Sequence, residues 1–290
     1  MSNWREIPEA HAEGETLALY QDIRAITKIP VVNLAFRHLA TIPRALPWVW
    51  TTLRPMYESG SAARLGAKVI EDARLPELPP IPNIYLRAAT LSAADMSDIA
   101  NIIDTYVRGN AMNLVAMSTL CRFIDRLDAL PKCASLLNEP IGTIELPSIR
   151  AIRPILSLEN LDDSTRTLVA RLEQIGGTPE PNSIKPSLYR HLAHWPSFLC
   201  LAGTYLLLPE RNGSLATASA AVRDAADSVA STICGSLRPP HEHIPEEPDF
   251  SRIRVAIGRF TLTIARLLPI SVLLRRALPI LPLIAACLLL

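Results

Sequence analysis

The sequence predicts an all-α fold made of two similar helical halves, and three observations carry that expectation. Apolar residues recur at spacings of three and four, the period of a helix with one buried face. No stretch alternates β-branched residues between hairpin turns, the pattern a strand needs. A block also returns along the chain: residues 36–46 read FRHLATIPRAL and residues 189–199 read YRHLAHWPSFL, an offset of 153. Arg37, His38, Leu39, Ala40, Pro43 and Leu46 recur as Arg190, His191, Leu192, Ala193, Pro196 and Leu199.

The elements follow in order. Leu17, Tyr20, Ile23 and Ile26 mark one face of a first helix that ends near Pro30. Its counterpart lies in 165–179, where Leu168, Leu172, Ile175 and Pro179 answer Leu19, Ile23, Ile26 and Pro30. Ser92 with Asp95 three residues on is an N-terminal capping signature. It opens a helix running to about Arg108, where another begins. Residues 213–236 are Ala-rich and free of Pro, so they read as one long helix closed by Gly235.

These elements give residues 1–130 as a first helical repeat and 161–290 as a second. Residues 131–160 carry Pro131, Pro140, Pro147 and Pro154 without helical rhythm, and form a linker between the repeats. Repeats of about 130 residues are too long for solenoid units. Duplicated halves pack naturally as a pseudo-dimer, because each can reuse the same interface about an approximate two-fold axis.

Composition narrows the function. A formal net charge of +1 and no Lys/Arg stripe give no footprint for nucleic acid. The five cysteines are odd in number, contain no CxxC pair and mostly sit in apolar stretches, which fits a reducing cytoplasm. The N-terminal stretch is polar and acidic, without the apolar core of a secretory signal. Residues 260–290 are strongly apolar and end in a charge-free run of 14 from Ala277. That run is shorter than the about 20 residues a bilayer span takes. Arg275 and Arg276 interrupt the segment, and Pro279 and Pro282 break it. A buried core or interface helix is expected there, with a membrane-attached tail as the alternative.

Chemistry-bearing motifs are sparse. His241 and His243 flank Glu242 between prolines, but without further convergent ligands they read as an exposed loop rather than a metal site. The duplicated His38 and His191 either exchange protons or fix their helices by hydrogen bonding. The sequence carries no GxSxG, no glycine-rich phosphate loop and no HExxH, and no cofactor is expected.

Taken together, YQDIR at 20–24, the RHLATIP block, Arg108-Gly109-Asn110 and LAHWP at 192–196 resemble the group I 2-haloacid dehalogenase family, also labelled halocarboxylic acid dehydrogenase. The resemblance runs in order over about residues 5–270. It implies a helical duplicated fold, a homodimer, and hydrolysis of a carbon–halogen bond beside a carboxylate. In that reaction an Asp of the second repeat activates a water, which attacks the α-carbon in line and inverts it with no covalent ester. An Asn after Gly holds the water and matches Asn110. The general base falls after Ser187, on Leu188, which cannot accept a proton. From Pro181 through Pro209 there is no Asp or Glu. Among the implied substrate-binding positions, a polar aromatic residue is replaced by Asn113, the aromatic wall falls on Val31 and Leu34, and a second-repeat Tyr falls on Ile257.

Three functions follow. The first is a family protein with a cleft between repeats for a small halocarboxylic acid or similar molecule, its hydrolytic step lost or altered because of Leu188. The second is an active carbon–halide hydrolase using another base, His38, His191 or, where the two blocks differ, His194. The third is an interaction or membrane-associated protein acting through the apolar C-terminus.

Overall fold

The computed structural model of the chain describes residues 4–126, 146–175, 184–240, 242 and 244–279. The first half of the expected linker (131–145), His241 and His243, Glu180 and the tail from 280 onward lie outside these residues. The described chain is all-α: α1 (Gly14–Thr27), α2 (Leu34–Leu39), α3 (Ala45–Glu58), α4 (Ser61–Asp72), α5 (Asn83–Ala88), α6 (Ala93–Ile124), α7 (Asp163–Leu172), α8 (Leu188–Leu192), α9 (Pro196–Arg211), α10 (Ser214–Ile233) and α11 (Asp249–Ala277). Three short 3-10 turns accompany them and no strand forms among the described residues.

The centre is α6. Its N-terminus is the expected capping box: Ser92 accepts from the Asp95 N–H, and Asp95 reaches back to the Ser92 N–H. Residues 109–120 are buried on every side, and most of them are small or apolar, as a helix surrounded by others requires. α11, α4, α10, α8 and α3 pack around it. α4 comes closest at Gly66, where a Cβ would lie 2.8 Å from the Ala111 carbonyl carbon. Only a residue without a side chain fits such an approach.

The break expected near Arg108 does not occur, and α6 runs unbroken through Gly109. A helix-interior Gly costs about 1 kcal/mol relative to Ala. Here the missing side chain makes room, since a Cβ at Gly109 would sit 3.2 Å from Ile29 Cδ1. The long Ala-rich helix forms as α10 and closes with a 3-10 turn at Cys234–Ser236. The two recurring blocks share an outline, each giving a short helix (α2, α8), a break around the repeated Pro and a longer helix (α3, α9).

α11 is long and apolar enough to cross a bilayer by length and composition, yet 67% of its most apolar window is buried in the protein. This is the burial of a core helix, and it covers the described part of the apolar C-terminal region. Across its contact with α6, Arg275 Nε donates to Asp104 Oδ1 at 2.8 Å, with 9% and 13% of the two side chains exposed. Burial raises the Asp104 pKa even though Arg275 pulls it down.

Removing one partner of a buried ion pair strands the other charge. Arg275→Met is therefore expected to lose about 3–5 kcal/mol in urea denaturation. The double variant Asp104→Leu/Arg275→Met is expected to recover most of that loss, and failure to recover it would assign the cost to packing instead.

Candidate functional site

A cavity of about 100 Å³ lies where α1, α2, α6, α8 and α11 meet, with Ile155 and residues 184–187 closing one side. Its α6 wall is a helical stripe of Tyr106, Asn110 and Asn113, spaced four and three apart. The opposing α11 wall is Phe260, Thr263, Ile264 and Leu267. Val31, Val32, Asn33 and Leu34 enter from the α1–α2 connection, which is held by the left-handed Lys28 at the end of α1 and by Asn33 accepting from the Ala35 N–H.

Of the residues singled out in the sequence, Val31, Leu34, Asn110, Asn113 and Ser187 line this cavity. Leu188, Ile257 and His194 do not. Leu188 is completely buried as the first residue of α8 and is not on the cavity wall. Ile257 is buried one turn before the lining stripe of α11. His194 lies on the outer side of its block, with Nε2 hydrogen-bonded to the Pro154 carbonyl at 2.9 Å.

The two recurring histidines differ. His38 Nδ1 meets the Arg5 carbonyl at 2.7 Å and its ring packs edge-on against Trp4, away from the cavity. His191 lines the cavity and is 1% exposed. The Tyr106 hydroxyl donates to Ser187 Oγ at 2.9 Å, and its oxygen lies 2.7 Å from His191 Nδ1. Burial is the main cause that lowers the His191 pKa to about 4, helped by His194, Arg190 and Arg37 and opposed by a hydrogen bond with the Arg153 carbonyl. Burial likewise pushes the Tyr106 phenol up to about 12, so it keeps its proton.

Hydrogen-bond supply on the remaining wall is uneven. Asn113 Oδ1 accepts from Tyr57 Oη at 2.7 Å. Asn110 is 3% exposed and its Nδ2 has no protein partner, a donor that a buried group ordinarily satisfies. Each charged lining residue is already paired: Glu9 with Arg24 at 2.7 Å, Arg37 with Glu6 at 3.0 Å and Lys185 with Glu173 at 3.3 Å. No group of three or more metal-binding side chains occurs among the described residues.

Tyr106, Glu9, Lys185 and the α11 stripe were not read from the sequence as site residues. The helical spacing of Tyr106 to Asn110 was a usable signal, hidden by the break expected at Arg108. The meeting of Tyr106 with His191, 85 positions apart, leaves no local trace.

No protein-family model matches the chain. A configuration-inverting 2-haloacid dehalogenase of Alcaligenes xylosoxydans xylosoxydans is 22% identical over 216 residues, covering 70% of this chain and 68% of that protein. A second one, from Pseudomonas sp. (strain 113), is 24% identical over 216 residues, 72% of this chain and 68% of that protein. An (R)-2-haloacid dehalogenase of Rhizobium sp. (strain NHG3) is 33% identical over 73 residues, 25% of this chain and 28% of that protein. Among solved structures, a D-2-haloacid dehalogenase mutant superposes with a TM-score of 0.75 at 16% identity, covering 96% of this chain and 97% of that one. A D-2-haloacid dehalogenase in complex with L-LA gives 0.72 at 18% identity over the same shares. The solved structures share the all-α fold of this chain, and these sequence relatives are 2-haloacid dehalogenases.

Below pH 6.5 an unfolded histidine takes up a proton that buried His191 refuses until about pH 4. The unfolded state then binds more protons, so stability falls as the pH drops through this window. His191→Gln is expected to flatten that slope in urea titrations, the native-minus-variant difference reaching about 3 kcal/mol at most. Equal slopes in the two proteins would mean that His191 accepts its proton freely when folded.

Proposed function

We propose that this chain is a haloacid-dehalogenase-family protein whose cavity takes a small halocarboxylic acid or a similar organic molecule, with the hydrolytic step lost or altered because Leu188 stands at the general-base position. The support is a convergence. Val31, Leu34, Asn110, Asn113 and Ser187, drawn from distant parts of the chain by resemblance, share one cavity. The residue after Ser187, by contrast, has no atom able to accept a proton. Tight apolar walls with a few convergent polar groups are what small-molecule sites offer. Asn110 Nδ2, buried and unpartnered, is the natural holder of a water or a ligand oxygen.

We also read the chain as a tandem duplication, on the strength of the recurring blocks and their common helix–Pro–helix outline. Of the competing readings, His194 as base has nothing at the cavity to support it, because its ring faces Pro154. A membrane role is not favoured by a C-terminal helix committed to the core.

Two measurements test the proposal. Calorimetry with the enantiomers of 2-chloropropanoate is expected to show saturable binding of at least one, and binding of neither would sink the reading. Halide release by the native protein is expected below the ordinary enzymatic range of about 1–1,000 per second. A rate inside that range would show the step unimpaired. Leu188→Asp would bury a carboxylate in the core at a cost of several kcal/mol. Burial raises such a group's pKa above its unfolded value near 4, so the loss of stability is expected to deepen as pH rises. A variant as stable as the native protein at pH 8 would mean that position 188 is wet.

A further inference from the structure

The recurring blocks hold the same Arg-His-Leu-Ala, yet their histidines are wired differently. His38 is held by the Arg5 carbonyl, whereas His191, beside the Arg153 carbonyl, is also connected through Tyr106 to Ser187, which lines the cavity. A merely structural histidine needs only a fixed partner, and a backbone carbonyl is at hand for both. The Tyr106–Ser187 link instead carries the imidazole's hydrogen bond to the cavity wall. Tyr106 is one turn before Asn110, whose buried Nδ2 lacks a protein partner.

We propose that Ser187, Tyr106 and His191 form a proton relay that replaces the missing carboxylate, with His191 as the terminal acceptor of the proton lost by a water held at Asn110. This rests on the reading of the cavity as a haloacid site. Glu9 is a carboxylate on the same wall, but its Oε1 already accepts from the Val32 N–H and its Oε2 from Arg24.

The phenol has a single proton, so the chain has two arrangements. In the accepting one, Ser187 donates to Tyr106 and Tyr106 donates to unprotonated His191 Nδ1. In the discharged one, His191 Nδ1–H donates to Tyr106 and Tyr106 donates to Ser187. The attacking water passes its proton to Ser187 Oγ as its oxygen bonds to the α-carbon and halide leaves with the carbon–halogen electron pair. The Ser187 proton moves to Tyr106, and the Tyr106 proton to His191 Nδ1. The products are the hydroxy acid, halide and a protonated His191, which later returns its proton to solvent.

The acceptor has suitable strength. His191 at about 4 is close to an ordinary aspartate near 3.9. The groups facing it are Tyr106, Arg37, Arg190, His194 and the Arg153 carbonyl. Tyr106, which stays protonated, can pass a proton without storing charge.

The experiment compares native protein with Tyr106→Phe and His191→Gln, following halide release from 2-chloropropanoate, the dissociation constant by calorimetry and the pH profile. The expected result is slow native release that falls as pH drops through about 4, because the acceptor is then already protonated. Both variants are expected to lose at least about 100-fold in rate while binding the acid as the native protein does, and the acid limb is expected to vanish with His191→Gln. Native-rate release by either variant overturns the relay, as does a native protein that binds the acid but releases no halide. If the native protein binds neither enantiomer, the haloacid reading falls and takes the relay with it. Tyr106→Phe removes one oxygen and keeps the ring, so it decides the matter if His191→Gln does not fold.

Discussion

The buried pair between Asp104 and Arg275 fixes how α6 and α11 lie against each other, and the cavity depends on that. Sliding either helix by a turn would leave two charges in the core without partners, at several kcal/mol each. Tyr106, Asn110 and Asn113 follow Asp104 along α6, and the lining stripe of α11 ends at Leu267, two turns before Arg275. One ion pair thus sets both the register and the rotation that face these two stripes toward each other. Gly66 against Ala111 and Gly109 beside Ile29 then let neighbouring elements close around α6.

The residues that carry the family resemblance mostly build this frame. Tyr20 donates to the Ile7 carbonyl, Asp22 accepts from Trp50 and Arg54, and Arg24 pairs with Glu9. Trp195 donates to Asp95, tying the second block to the start of α6. Losing the partner of Tyr20, which is 1% exposed, would leave a buried polar group unpaired, whereas the partly exposed pairs Arg24–Glu9 and Arg54–Asp22 contribute less. Ser187 lines the cavity, whereas its neighbour Leu188 is buried in the core behind it.

Legibility in the sequence followed the same division. The helical class, the capping box at Ser92 and the helix over 213–236 were readable because local periodicity and capping dictate them. Asn110 and Ser187 were named from the resemblance, and both line the cavity. The unbroken course of α6 was not, because Gly109 signals an interruption locally and is tolerated only through its fit against Ile29. Ile257 and the stripe from Phe260 differ by one turn along the same apolar face of α11, a shift that this face does not mark. The encounter of Tyr106 with His191 is a property of packing, visible only once α6 and α8 are brought together.

The cavity's charged lining residues have a consequence for how a ligand arrives. Glu9, Arg37 and Lys185, the charged side chains among the described lining residues, are each paired with a neighbour of opposite sign, and beyond a Debye length of about 8 Å at physiological salt such pairs are largely screened. A small anion is not drawn in from a distance as it would be by a cleft of one sign. Were an acid to bind here, its discrimination from an uncharged analogue would fall to short-range contacts inside rather than to these paired lining charges.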